Sequence, residues 1–281
     1  MDMLVSTNWL AERLGETGLV VLDASMHLPG ADRSPQAEFA AGHIPGARFL
    51  DLPSLKDEGS PVHSALPTAG QFAERMRSLG VATGDRVVLY DASDLRTSAR
   101  AWFMFDMFGI EAAVLDGGLA KWTAEDRPLE QGETDAFTSD FDAGQDDRSH
   151  VRSKTDMLAN VATREEQVVD ARDADRFTGA TKDTVHDLPG GHIPGSKNLF
   201  FRKLLREDGT FKPKDELRAT FAEAGIDLSR PVVSTCGSAT TASVLDFALR
   251  LLGKDDTAVY DGSWSEWGAD PATPKETGEA D

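Results

Sequence analysis

One cysteine, Cys236, stands among 281 residues, which excludes an internal disulfide framework. Long apolar runs are also missing. No stretch nears the roughly 20 residues needed to cross a bilayer, so no membrane-spanning helix is predicted. Basic residues are scarce: 29 Lys and Arg face 48 Asp and Glu, for a net charge of −19. That balance disfavours nucleic acid and anionic membrane surfaces as partners. The opening residues Met1 to Trp9 carry neither the basic nor the apolar part of an export signal, so the expected compartment is the cytoplasm. What remains, 40% hydrophobic and 27% charged residues, is the composition of a globular chain with room for two domains.

The chain is one α/β unit written twice. In the first half a capped helix over 6–14 precedes a buried strand, Leu19 to Leu22, ending at Asp23. Helical periodicity over 69–80 and 98–108 then alternates with apolar runs at Val87–Tyr90 and Ala112–Leu115. The second half answers motif by motif. Gln167-Val-Val-Asp170 matches the run ending at Asp23, Gly191-His-Ile-Pro-Gly195 matches Gly42-His-Ile-Pro-Gly46, and Tyr260-Asp-Gly-Ser-Trp-Ser-Glu-Trp267 matches Leu115-Asp-Gly-Gly-Leu-Ala-Lys-Trp122. Strands alternating with helices at this period predict a duplicated α/β domain with mostly parallel sheets. The polar, Asp-rich stretch Gln131 to Ser153 reads as a linker, which places the domains at 1–145 and 146–281. Pro271 to Asp281 reads as a frayed tail.

Cys236 falls between an apolar strand, Val232-Val233, and a helical pattern running from Ala242 to Leu252 and stopping at Gly253. The turn between them, Gly237-Ser-Ala-Thr-Thr241, is made of small residues. Successive backbone N–H groups can therefore curl toward the sulfur, and the helix adds the positive end of its dipole. Such a cradle holds an anion, and the anionic form of cysteine is the nucleophile. In the first copy the aligned residue is Asp91, so only the second copy offers a nucleophile.

These motifs, in this order, resemble the tandem-domain rhodanese-type sulfurtransferases, most closely the 3-mercaptopyruvate branch. The resemblance covers nearly the whole chain and rests on His43-Ile-Pro-Gly-Ala47, its second copy, Cys236-Gly-Ser-Ala-Thr-Thr-Ala242 and the segment Tyr260–Trp267. It implies that Cys236 takes sulfur from a small-molecule donor as a persulfide and hands it to cyanide or to a thiol, such as a small thiol or thioredoxin. Neither metal nor organic cofactor is implied. Gly237-Ser238 after the cysteine resembles the mercaptopyruvate branch rather than the thiosulfate branch, whose members carry basic residues there. The family's Ser-His-Asp relay carries over onto Ser238, His43 and Asp32, although His43 equally reads as a turn residue because His192 repeats it. Gly237, Ala239, Thr240 and Thr241 complete the binding loop. Of two arginines implied to clamp the donor carboxylate, Arg176 matches the first. Val185 stands in place of the second, with Lys182 and His186 nearby as substitutes. Arg172 reads as a structural partner of Asp170.

Two other readings fit less well. A phosphatase would need an arginine six residues after the cysteine, where Ala242 stands, and a histidine is often found before it, where Thr235 stands, so phosphoryl charge would go unneutralised. A non-enzymatic persulfide carrier would use the same cysteine but load once and release slowly.

Overall fold

The computed structural model describes residues 1–134 and 138–279. They form two units. The first holds Met1–Asp57, Leu66–Asp147 and Glu207–Phe211; the second holds Glu58–Ala65, Arg148–Arg206 and Lys212–Asp281.

In the first unit β1 (Leu4–Val5), α1 (Thr7–Ala11), β2 (Leu19–Asp23), α2 (Pro35–Ala41), β3 (Arg48–Phe49), α3 (Ala69–Ser78), β4 (Arg86–Tyr90), α4 (Ser98–Met107), β5 (Ala112–Leu115) and α5 (Gly118–Ala124) follow in order. The second repeats them as β6 (Val151–Arg152), α6 (Lys154–Thr163), β7 (Gln167–Asp170), α7 (Ala174–Thr178), β8 (Lys197–Asn198), α8 (Lys214–Glu223), β9 (Val232–Thr235), α9 (Ala242–Leu251), β10 (Thr257–Tyr260) and α10 (Ser263–Trp267). Both sheets are wholly parallel, ordered β1-β5-β4-β2-β3 and β6-β10-β9-β7-β8. Parallel strands are covered by helices on both faces, hence the unbroken apolar runs such as Val87-Val-Leu-Tyr90, all buried. Chain direction across each sheet reverses between β7 and β9, and between β2 and β4. In sheets of this kind the loops leaving the carboxyl ends of such a pair of strands border the binding crevice.

The two copies share a structural turn. His43 and His192 each stack on a phenylalanine, Phe39 and Phe177, with ring centroids 3.9 Å apart and planes 5° from parallel. Each donates from Nδ1 to that phenylalanine's carbonyl, at 2.8 and 2.9 Å. Glu130 and Glu276 then pair with these histidines through the backbone, and their carboxylates accept the amides of Gly46 and Gly195.

The tail expected to fray is tied down through Gly278. Trp267 Nε1 donates to Pro274 O at 2.7 Å, Thr273 is buried, and Glu276 bridges His192; residues 280 and 281 lie outside the described residues. The expected linker also departs from a free crossing. Phe141 is buried against Phe72, and Asp147 N bonds Met107 O, so the stretch lies along the first unit. Hydrogen bonds from Ser139 and Asp142 to the first unit add to that anchor; residues 135–137 of that stretch lie outside the described residues.

Asp23, at the end of β2, is buried and accepts Ser25 N at 2.9 Å. Burial raises its pKa to about 6 against the pull of the Ser25 and Tyr90 hydrogen bonds. A carboxyl whose folded pKa lies above its unfolded value of 3.8 binds its proton better in the folded state. Stability from this group is therefore full below about pH 4 and is lost as pH rises through 6. Two pH units correspond to ~3 kcal/mol as an upper figure. Asp23→Asn keeps an acceptor for Ser25 N and is expected to stabilise the protein by ~1–3 kcal/mol above pH 7. Denaturant unfolding of both proteins across pH tests this: the gain should shrink toward zero below pH 4, and a variant no more stable at pH 8 would refute the assignment.

Candidate active site

Cys236 follows β9, and Arg172 follows β7, so the two residues leave the carboxyl ends of the strands between which chain direction reverses. Cys236 is 2% exposed and is a free cysteine. The loop after it is held from outside by the start of α10. Trp264 N donates to Cys236 O at 2.9 Å and Ser265 N to Gly237 O at 2.8 Å. These two bonds draw the loop's first carbonyls toward α10.

Ser263 fixes the curl. Its hydroxyl accepts Cys236 N at 3.2 Å and Ala239 N at 3.1 Å, and donates to Tyr260 O at 2.8 Å. Ser263 and Ala239 both sit in the left-handed region, at φ of 48° and 62°, which non-glycine residues seldom adopt. Ser263 Oγ takes up Cys236 N and Ala239 N, while no hydrogen bond among the described residues occupies the amides of Gly237 and Ser238. Ala239 thus serves the loop's shape rather than offering its N–H to a ligand.

The first unit shows what is lost without this device. Gly118 occupies the place of Ser263, at φ 57°, and a Cβ there would collide with Asp91 O. Leu119 N still donates to Asp91 O at 3.0 Å, as Trp264 N does to Cys236 O. The Asp91 carboxylate turns inward and accepts Ser93 N at 3.0 Å and Ser98 N at 2.9 Å. This loop fills its own anion site.

Arg172 is 1% exposed. It grips Asp170 through Nε, 3.1 Å from both oxygens, and Nη2, 2.6 Å from Oδ2. Nη2 also donates to Gly191 O, and the guanidinium lies 4.6 Å over the Trp264 ring. Burial works against its charge, but Asp170, Asp183 and the Cys236 sulfur outweigh it and raise its pKa. The pairing expected with Asp170 is present.

The other expected residues are placed as follows. Arg176 pairs with the residue that caps its own helix, with Nε 2.6 Å from Asp173 Oδ2, and keeps a quarter of its side chain exposed. Lys182 is committed to Asp187 at 2.5 Å and is more than half exposed. His186 instead lies against the cysteine loop, where a Cβ on Gly237 would run into its ring. Ser238 is half-buried, and its carbonyl accepts Ser64 Oγ at 3.1 Å, from the segment Glu58–Ala65 of the same unit.

Of the residues expected for the relay, His43 and Asp32 belong to the first unit and Ser238 to the second. His43 spends Nδ1 on Phe39 O and turns Nε2 toward Glu130, 3.9 Å away, while Asp32 is exposed. His192 holds the same posture in the second unit, as a repeated turn residue would.

The rhodanese-like domain model matches residues 6–125 and again 153–270. The chain belongs to the rhodanese family. Rhodanese-family relatives include the 3-mercaptopyruvate sulfurtransferase of Rattus norvegicus, 41% identical over 94% of this chain and 91% of that protein. The thiosulfate sulfurtransferase of Gallus gallus is 40% identical over 94% and 92%. The crystal structure of SseA from Escherichia coli, described with the rhodanese fold among 3-mercaptopyruvate sulfotransferases, superposes with a TM-score of 0.85 at 36% identity, covering 94% of this chain and 99% of that one. Sulfurtransferases of both donor classes thus share this rhodanese pair of domains. Among the described residues, no helix is long and apolar enough to cross a membrane.

Proposed function

We propose that the chain is a cytoplasmic sulfurtransferase that takes sulfur from 3-mercaptopyruvate onto Cys236 as a persulfide and passes it to a thiol or to cyanide. The reading is carried by the cysteine loop itself: a buried free cysteine just after β9, in a turn of small residues whose curl is held by Ser263 Oγ and by the amides at the start of α10. Fixed N–H dipoles stabilise an anion without reorganising, whether it is a thiolate or a persulfide. Gly237 and Ser238, rather than basic residues, follow the cysteine, which suits a carbonyl-bearing donor.

Arg176 is the cation for the donor's carboxylate, with its outer edge exposed. A charge-assisted contact of this kind contributes ~1.5–3 kcal/mol. Arg176→Ala is therefore expected to raise KM for mercaptopyruvate about 10- to 100-fold while kcat changes far less. Val185→Arg should lower KM by adding a second cation. Steady-state rates with mercaptopyruvate and thiosulfate, at fixed ionic strength because of the −19 charge, test both. Thiosulfate as donor is the second reading, favoured by Val185 where a second arginine was expected. A kcat/KM for thiosulfate above that for mercaptopyruvate would establish it.

A further inference from the structure

The turn from Asp183 to Leu188 closes by two backbone hydrogen bonds between those residues, at 2.9 and 3.0 Å. Inside it, Asp183 Oδ1 accepts Val185 N and His186 N, at 3.2 and 3.3 Å, and lies 3.2 Å from His186 Nδ1. Asp183 is fully buried, and Nη1 of both Arg172 and Arg176 stands 3.8 Å from its oxygens. Burial disfavours its charge, but His186 and the two arginines outweigh burial and hold the carboxyl below its ordinary range. A carboxylate at Nδ1 keeps the proton on that nitrogen and leaves Nε2 as the end that exchanges protons. The ring rests on Gly237, with Nε2 3.3 Å from where a Cβ would be, one residue from Cys236. Six residues before His43, the first copy has Ala37 within α2. The pair exists only in the copy that carries the cysteine.

We propose that His186, positioned by Asp183, is the acid–base group of sulfur transfer from mercaptopyruvate, moving the donor's thiol proton to the carbon that loses sulfur. The Cys236 thiolate attacks the donor sulfur. A sulfur–sulfur bond forms as the carbon–sulfur bond breaks, and the electron pair leaves on carbon as the enolate of pyruvate. His186 Nε2 takes the proton from the donor's S–H and returns it to that carbon. The products are pyruvate, whose methyl carbon is reduced, and the Cys236 persulfide, whose outer sulfur is oxidised; atoms and charge balance without a further reactant. This rests on the mercaptopyruvate reading, because thiosulfate would leave as sulfite and needs no proton on carbon.

The charged group against the imidazole is Asp183 from its own turn, to which Arg172 from the loop after β7 and Arg176 from α7 are paired, and the ring's other neighbour is Gly237, the residue after Cys236. Lys182 and Asp187 pair with each other at the turn's outer side. Only a neutral imidazole can accept the thiol proton, so loading from mercaptopyruvate should weaken as pH falls.

The test is single-turnover loading of the full chain, followed as pyruvate released and as one sulfur gained in intact mass, with mercaptopyruvate and with thiosulfate across the neutral pH range. His186→Gln is expected to slow mercaptopyruvate loading by ~10²-fold or more, at nearly unchanged donor affinity, and to flatten the acid limb. Its loading from thiosulfate should stay within about threefold of wild type. Wild-type rate and pH profile in the variant would overturn the proposal. So would a loss confined to donor affinity, or equal slowing with both donors. A wild type that loads from thiosulfate alone would overturn the donor reading and this step with it, whereas wild-type loading from mercaptopyruvate upholds the donor reading whatever the variant does.

Discussion

Cys236→Ser is expected to abolish turnover with either donor, by three orders of magnitude or more, and to leave no protein-bound sulfur. The sulfur is what the loop presents, and the loop does not depend on it. Cys236 N is held by Ser263 Oγ and Cys236 O by Trp264 N, so the backbone curl survives the substitution. A serine hydroxyl of similar size fits the same space, but its oxygen is neither ionised near neutrality nor able to form a stable oxygen–sulfur link. Intact mass of the wild type after donor treatment should rise by one sulfur atom and return on adding a thiol. The variant should show no change. A variant that gains the sulfur, or turns over, would move the chemistry off this residue.

The duplication, the parallel sheets and the position of Cys236 are legible because each follows from local pattern: apolar runs of strand length, helical periodicity and a period near 147 residues. The repeat held more than composition suggested. Pro274 and Glu276 answer Pro128 and Glu130, and Trp267 and Trp122 donate to those prolines at 2.7 and 2.8 Å. The supposed frayed tail therefore has a partner motif that predicts its order. Ser263 opposite Gly118 was likewise visible in the aligned copies, as a serine present only beside the cysteine. His186 over Gly237 was not. Its ring direction is set by the buried Asp183 and by the arginines of two other elements, contacts that no local spacing encodes. His43 was legible as a turn residue, a histidine repeated in both copies with its own phenylalanine, Phe39 or Phe177.

Asp170 and Asp23 are the same strand-end carboxylate in the two copies, and the residue two positions on decides their electrostatics. Ser25 gives Asp23 only a hydrogen bond, and its pKa rises to about 6. Arg172 gives Asp170 a bidentate ion pair and compensates Asp183 as well. Removing one member of a buried pair leaves the others uncompensated, at a cost of ~3–5 kcal/mol. Arg172→Met fills similar apolar volume beside Trp264 without the charge, so it should destabilise the second unit by about that amount at neutral pH. The pH dependence has a definite sign. Asp183 is held below its unfolded pKa of 3.8, so its contribution is present above that value and lost as pH falls through the folded one. The deficit of Arg172→Met should therefore be largest at neutral pH and narrow below about pH 4. Arg172→Lys, which keeps a point charge but not the planar fork, should recover only part of it. Hydrogen exchange of the β7 amides, with denaturant unfolding at several pH values, measures this. An Arg172→Met protein within ~1 kcal/mol of wild type at pH 7 would mean that Asp170 and Asp183 are compensated by groups other than this guanidinium.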